Sequence, residues 1–213
     1  MKLFLASAFD KTADVFSKKV GFSLKGKKVM FVANAADHYK GDKWWIRNDR
    51  EAFIKLGCQV IDVDLRTITL TDFTESLMSS DIIHITGGSV IYPSQLIIKR
   101  GLSKPLKDAI RQNKIIYTGT SAGSMIVSKD LTSMSFDPDE KDFVVTGNSY
   151  SGLGLIDFII LPHAGNKDFS AGNAELMKLL PDYSQPVLFL YDNQAVLVED
   201  DKLEIVTSTA DRK

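Results

Sequence analysis

Apolar and polar positions along this chain alternate between two periods. Short apolar runs of strand length are followed by stretches with helical spacing, and the cycle repeats through the first 120 residues. Lys2–Ala8 reads as a strand and Lys11–Lys19 as a short helix. Lys28–Ala35 is a second buried strand. Over Asp42–Leu56, Trp45, Phe53 and Leu56 share a helical face, and Gly57 supplies the stop. Gln59–Leu65 alternates with period two, and Thr71–Ser79 reads as a helix capped by Thr71-Asp72. Asp81–Thr86 is a strand ending in Gly87-Gly88. Tyr92–Arg100 and Pro105–Gln112 are helical, and Lys114–Thr118 runs as a strand into Gly119. Leu155–Leu161 then reads as a strand ending at Pro162-His163, and Ala174–Leu180 as a helix. Val187–Tyr191 and Ala195–Glu199 read as a hairpin that Lys202–Ser208 continues.

Strands alternating with helices predict an α/β fold: a three-layer, mostly parallel sheet with helices on both faces, and antiparallel strands added by the tail. No repeat or linker divides the chain, so one domain over residues 1–213 is expected. In such sheets ligands bind beyond the carboxyl ends of the strands. Gly87-Gly88, Ser121 and His163 each follow a predicted strand end, which places three candidate positions at one rim.

The five residues Gly119-Thr120-Ser121-Ala122-Gly123 fit Gly-x-Ser-x-Gly, the pattern of a nucleophile on a sharp strand-to-helix turn. Side chains two residues before or after such a serine collide with neighbouring elements, hence the glycines. The turn also sets the hydroxyl at a helix N-terminus, where free N–H groups favour developing negative charge. The N–H of Ala122 is then a candidate oxyanion donor, and that of Gly88 a second. The competing reading is a small-residue turn with Ser121 as a plain helix cap.

A serine nucleophile needs a base. The chain has three histidines. His84 lies among isoleucines inside a strand and reads as buried and structural. His163, at a strand end, is the preferred base, with His38 behind it. For the orienting acid, Asp137, Asp157, Asp168 and Asp192 are all open, and Asp192-Asn193 is also ordinary turn chemistry.

Composition narrows the classes. With 26 basic and 27 acidic residues the net charge is −1, so no strong field favours nucleic acid or an acidic membrane. The acidic run Asp137–Asp142 reads as a solvated loop. No apolar run approaches bilayer length, and the apolar start is too short for a signal peptide. The single Cys58 reads as a small buried residue and fits a reducing compartment, so a cytoplasmic location is expected. Dispersed histidines give no metal-ligand spacing, and no fingerprint calls for a cofactor. The expected partner is a short peptide or amide substrate; the sequence sets no oligomeric state.

The order Gly-Gly turn, Gly-x-Ser-Ala-Gly, Pro-His resembles the aspartyl dipeptidase (peptidase E) and cyanophycinase family of serine peptidases, over most of the chain. The resemblance implies a sheet like that of class I glutamine amidotransferases. It implies Ser121 as nucleophile, His163 as base, and Gly88 with Ala122 as oxyanion hole. It also places the acid before the last hairpin, where Leu190-Tyr191-Asp192-Asn193 falls, and so favours Asp192. The sequence departs from the family at Thr86, Ser89 and Ala164, which replace a glycine, an asparagine and an aromatic residue. No arginine lies between Arg111 and Arg212, so the family's usual grip on a substrate carboxylate is missing. Ser89 and Lys167 stand as candidate substrate contacts, Lys167 only as a point charge. The resemblance thus carries the hydrolytic apparatus and leaves the aspartyl preference behind. Three alternatives remain: a catalytically silent binding protein on the same fold, a broad amidase or esterase, and an amidotransferase-like subunit, whose usual cysteine nucleophile is missing.

Overall fold

The computed structural model describes residues 1–132, 134, 140, 150–179 and 185–210. Five parallel strands form the centre of the main sheet: β1 (Lys2–Ala6), β2 (Lys28–Val32), β3 (Gln59–Asp62), β4 (Ile82–Ile85) and β5 (Ile116–Thr120). Two antiparallel strands, β8 (Gln194–Glu199) and β9 (Lys202–Thr207), complete it in the order β3-β2-β4-β5-β1-β8-β9. Two further strands, β6 (Ile159–Leu161) and β7 (Val187–Phe189), pair in parallel as a separate small sheet.

Pleating sorts the side chains onto two faces. Leu3, Leu5, Met30, Val32, Ile83 and Ile85 face one core, with apolar residues of α3 (Leu70–Ser79), α4 (Ile91–Lys99), α5 (Ser103–Arg111) and α6 (Ala122–Met125). Phe4, Ala6, Val29, Phe31 and Leu197 face the other, covered by α1 (Phe9–Lys19) and α2 (Trp44–Lys55). The last helix is α7 (Ser170–Leu179). The three-layer α/β expectation is met. No helix among the described residues is long and apolar enough to cross a membrane.

Three local expectations change. Val187–Phe189 does not form a hairpin with the next strand. Instead β7 pairs with β6, and Leu190 N–H extends that ladder to Leu161 O at 2.9 Å. A turn, closed by Gln194 N–H on Tyr191 O at 2.9 Å, then carries the chain to the main sheet, where β8 and β9 make the hairpin. The helix after β3 is capped by Thr69, whose Oγ1 accepts from Asp72 N–H at 3.1 Å, two residues before the expected cap. Finally, Glu140 does not belong to a solvated loop. It is 2% exposed, and its carboxylate accepts from Ser89 Oγ at 2.6 Å and from the Val90 and Ile91 amides at the start of α4. A carboxylate there satisfies open N–H groups and meets the positive end of the helix dipole.

His84 is fully buried, as its isoleucine neighbours predict. The rings of Phe9, Phe31 and Phe53 lie 5.0–5.2 Å from it. Its Nδ1 lies 2.9 Å from Thr118 Oγ1, whose own proton goes to Ile83 O at 3.2 Å, so Nδ1 is the donor. Its Nε2 lies 3.2 Å from Oδ2 of the equally buried Asp49, which also accepts Asp10 N–H. Removing one partner from such a pair strands the other away from water. Asp49→Ala is therefore expected to destabilise the fold by about 3 kcal/mol, or roughly 6–12 °C in Tm for a chain of this length. A loss within about 2 °C in a thermal melt would contradict it.

Cys58 is buried, its thiol pointing at Leu24 O, and burial pushes its pKa up to about 11. Such a thiol is inert as a nucleophile at neutral pH.

Candidate active site

Ser121 follows β5 and opens α6 with φ 49° and ψ −110°. A residue with a side chain in that region stores roughly 1–3 kcal/mol of strain, so the surroundings must hold it. Ser121 N–H donates to Ala6 O at 3.0 Å, and Ser121 O accepts from Ser124 and Met125 N–H at 2.9 and 3.1 Å. Ser124 Oγ also ties to Ala6 O at 2.7 Å.

The motif glycines are explained by the space around them. A Cβ on Gly119 would stand 2.5 Å from the Gly123 carbonyl, and one on Gly123 would stand 1.9 Å from Ile85 O. Neither contact can be relieved by turning a side chain, because both partners are backbone. Gly88 has φ 139°, and its missing Cβ would lie 2.3 Å from Ala35 O. The turn after β4 therefore runs hard against the turn after β2.

His163 follows β6 and also has a positive φ, of 61°. Its backbone N–H donates to Ser7 Oγ at 2.8 Å, just past the end of β1. This grip aims the ring. Nε2 lies 2.9 Å from Ser121 Oγ, and Nδ1 lies 2.6 Å from Asp192 Oδ1. The Asp192 carboxyl pKa is drawn down to about 2, above all by the hydrogen bond from His163, against a smaller opposing effect of partial burial. An ionised carboxylate only accepts, so Nδ1 carries the proton and Nε2 is left to accept from Ser121 Oγ–H. Asp192 is itself held: Asn166 Nδ2 donates to Oδ2 at 3.0 Å, and Ser7 Oγ donates to Oδ1 at 3.3 Å.

The segment after His163 closes one side of the site. Asn166 Oδ1 accepts Asp168 N–H at 3.1 Å and so fixes a 3-10 turn over Lys167–Phe169. Phe169, at the end of that turn, stacks on the His163 ring with centroids 4.0 Å apart and planes 18° from parallel.

These groups face a cavity of about 280 Å³ lined by, among others, Gly88, Ser121, Ala122 and His163. Neither the Gly88 nor the Ala122 amide has an acceptor among the described residues. Of the residues singled out in the sequence, the structure thus brings Ser121, His163, Asp192, Gly88 and Ala122 to one place. Ser89 is 1% exposed and tied to Glu140, and Lys167 is exposed; neither lines the cavity. His38 packs edge-on against Tyr92 at 4.4 Å. Asp157 is exposed, Asp168 lines the cavity mouth, and Asp137 lies outside the described residues. Among the described residues no three His, Cys, Asp or Glu side chains are grouped to hold a metal ion.

Sequence reasoning missed Ser7, Asn166 and Phe169. The signal for Ser7 was its place directly after a central strand, the same rule that picked out Ser121. Asn166 and Phe169 carried none, being a polar loop residue and an aromatic residue 46% exposed.

The sequence model of peptidase family S51 matches residues 4–206. An uncharacterized peptidase of Pasteurella multocida is 28% identical over 94% of each chain. A protein of Drosophila melanogaster named as a probable alpha-aspartyl dipeptidase is 25% identical over 83% of this chain and 71% of its own. Among solved structures, a candidate peptidase E protein from Listeria monocytogenes EGD-e superposes with a TM-score of 0.87 at 25% identity, covering 98% of both chains.

Proposed function

Because this chain belongs to peptidase family S51 and is a peptidase, we propose that it cleaves a short peptide or amide through Ser121, His163 and Asp192 with an acyl-enzyme intermediate. The observation that carries this is the unbroken hydrogen-bonded chain Ser121 Oγ–His163–Asp192, at 2.9 and 2.6 Å, ending on a serine at a strained turn.

In the proposed reaction Ser121 Oγ attacks the substrate carbonyl carbon while His163 Nε2 takes its proton. The imidazolium is stabilised by the Asp192 carboxylate. The carbonyl oxygen becomes negative and is met by the Gly88 and Ala122 N–H groups, which have no protein acceptor among the described residues to give up. His163 next protonates the leaving amine as the C–N bond breaks. Water, deprotonated by the same nitrogen, then releases the acyl group and restores Ser121.

The base role is tested by the rate of covalent labelling with a fluorophosphonate. His163→Ala is expected to slow labelling by roughly 100-fold or more, the low end of what a positioned base contributes. An unchanged rate would remove His163 from the reaction.

A further inference from the structure

We propose that the cavity beside Ser121 seats the cationic end of its substrate, an ammonium or guanidinium group, and disfavours an acidic one. This rests on the reading of Ser121 as nucleophile, which makes the cavity the place where substrate sits. Among its described lining residues three are carboxylates, Glu140, Asp168 and Glu175, and none is lysine or arginine.

The three differ in what they have left to offer. Glu140 is buried, with its oxygens committed to Ser89 and to the amides that open α4. Glu175 pairs with Lys178 at 2.6 Å, both side chains 67% exposed, so water screens it. Asp168 is different. Its side chain is exposed, and its carboxylate has no partner among the described residues. It stands in the turn that Asn166 fixes, one residue before the ring stacked on His163. The same hydrogen bonds that order the acid therefore hold a free carboxylate at the cavity wall. Tyr39 adds an aromatic ring to the lining, and aromatic faces attract cations.

A substrate carboxylate entering here meets like charge and, among the described lining residues, no lysine or arginine to offset it. A cation meets Asp168. One screened charge contact of this kind is worth up to about fivefold in affinity, so attraction of the cation and repulsion of the anion together should separate the two by roughly tenfold or more. The cation has two sources, a basic side chain on the residue that supplies the acyl group, or a free α-ammonium on that residue.

The test is a matched peptide set with Lys, Arg, Leu or Asp on the acyl side of the cleaved bond, each with a free and an acetylated N-terminus. It is read as kcat/KM and, independently of turnover, as protection of Ser121 from a fluorophosphonate. The cationic member of a pair, Lys or Arg against Asp or a free against an acetylated N-terminus, is expected to lead by at least tenfold, and Asp168→Lys to collapse that ratio by at least tenfold, mainly through KM. A lead of Lys and Arg over Leu and Asp that survives acetylation assigns the cation to the side chain; a lead of free over acetylated peptides whatever the side chain assigns it to the α-ammonium. Asp peptides matching Lys peptides, with acetylation changing neither, while Ser121 still labels would overturn the charge inference and leave the nucleophile standing. A ratio untouched by Asp168→Lys would remove Asp168 from it. Full hydrolysis by Ser121→Ala would overturn the nucleophile beneath both.

Discussion

Ser121→Ala is expected to lower kcat/KM by roughly 10⁴–10⁶ while the protein folds as before. The substitution removes one oxygen and one hydrogen bond, Oγ to His163 Nε2. The contacts that hold the turn, Ser121 N–H to Ala6 O and Ser121 O to the Ser124 and Met125 amides, are backbone and remain. Activity and stability therefore separate at this residue. Measured peptide hydrolysis within tenfold of the parent, with an unchanged melt, would mean that some other group attacks.

The second large effect lies at Asp192. Asp192→Asn keeps the shape but replaces an acceptor with an amide that can present N–H to Nδ1. The ring is then driven toward the tautomer with its proton on Nε2, which cannot accept from Ser121. A loss of about 10⁴ in kcat is expected. The exposed Asp157, another candidate by sequence, is expected to tolerate asparagine with activity within twofold. Reversal of the two results would move the acid. The pH dependence follows the same bond. The Asp192 carboxyl is held at about 2, chiefly by His163, below the ordinary carboxylate value of about 3.9. A depressed carboxyl contributes stability that is present above the ordinary value and lost as pH falls toward the depressed one. The parent should thus lose this contribution between roughly pH 4 and 2, and Asp192→Asn should not show it.

Periodicity alone was enough for the three layers, because four buried parallel strands announce themselves as apolar runs between helices and the exposed edge strand β3 by its alternation. It misplaced strand ends, however, most of them too late and that of β5 too early. Lys28–Ala35 stops as a strand at Val32, because Asn34–Ala36 turns at the rim. Such rim residues are apolar too, since they pack under the site. Periodicity also cannot say which strand pairs with which, and so Val187–Phe189 was given to the wrong partner. The turn at Ser121 was readable because a strained turn needs glycines at fixed offsets, and the clashes at Gly119 and Gly123 show why. The carboxylate that partners His163 was not readable from the residues. Four aspartates were open, and the family likeness raised Asp192 above the others. Its position depends on the Tyr191–Gln194 turn bridging two sheets, a fact of tertiary structure. Glu140 was misread for a related reason: its acidic neighbours suggest water, and only the start of α4 reveals what it caps.

The central claim is that Ser121 is the attacking group, and the most direct measurement is fluorophosphonate labelling of the folded, active protein with the modified residue mapped by mass spectrometry. One adduct per chain is expected, on Ser121, with peptide hydrolysis lost in proportion to labelling. An unlabelled Ser121 in protein that still hydrolyses peptides, or inhibition that follows an adduct at another residue, would contradict it.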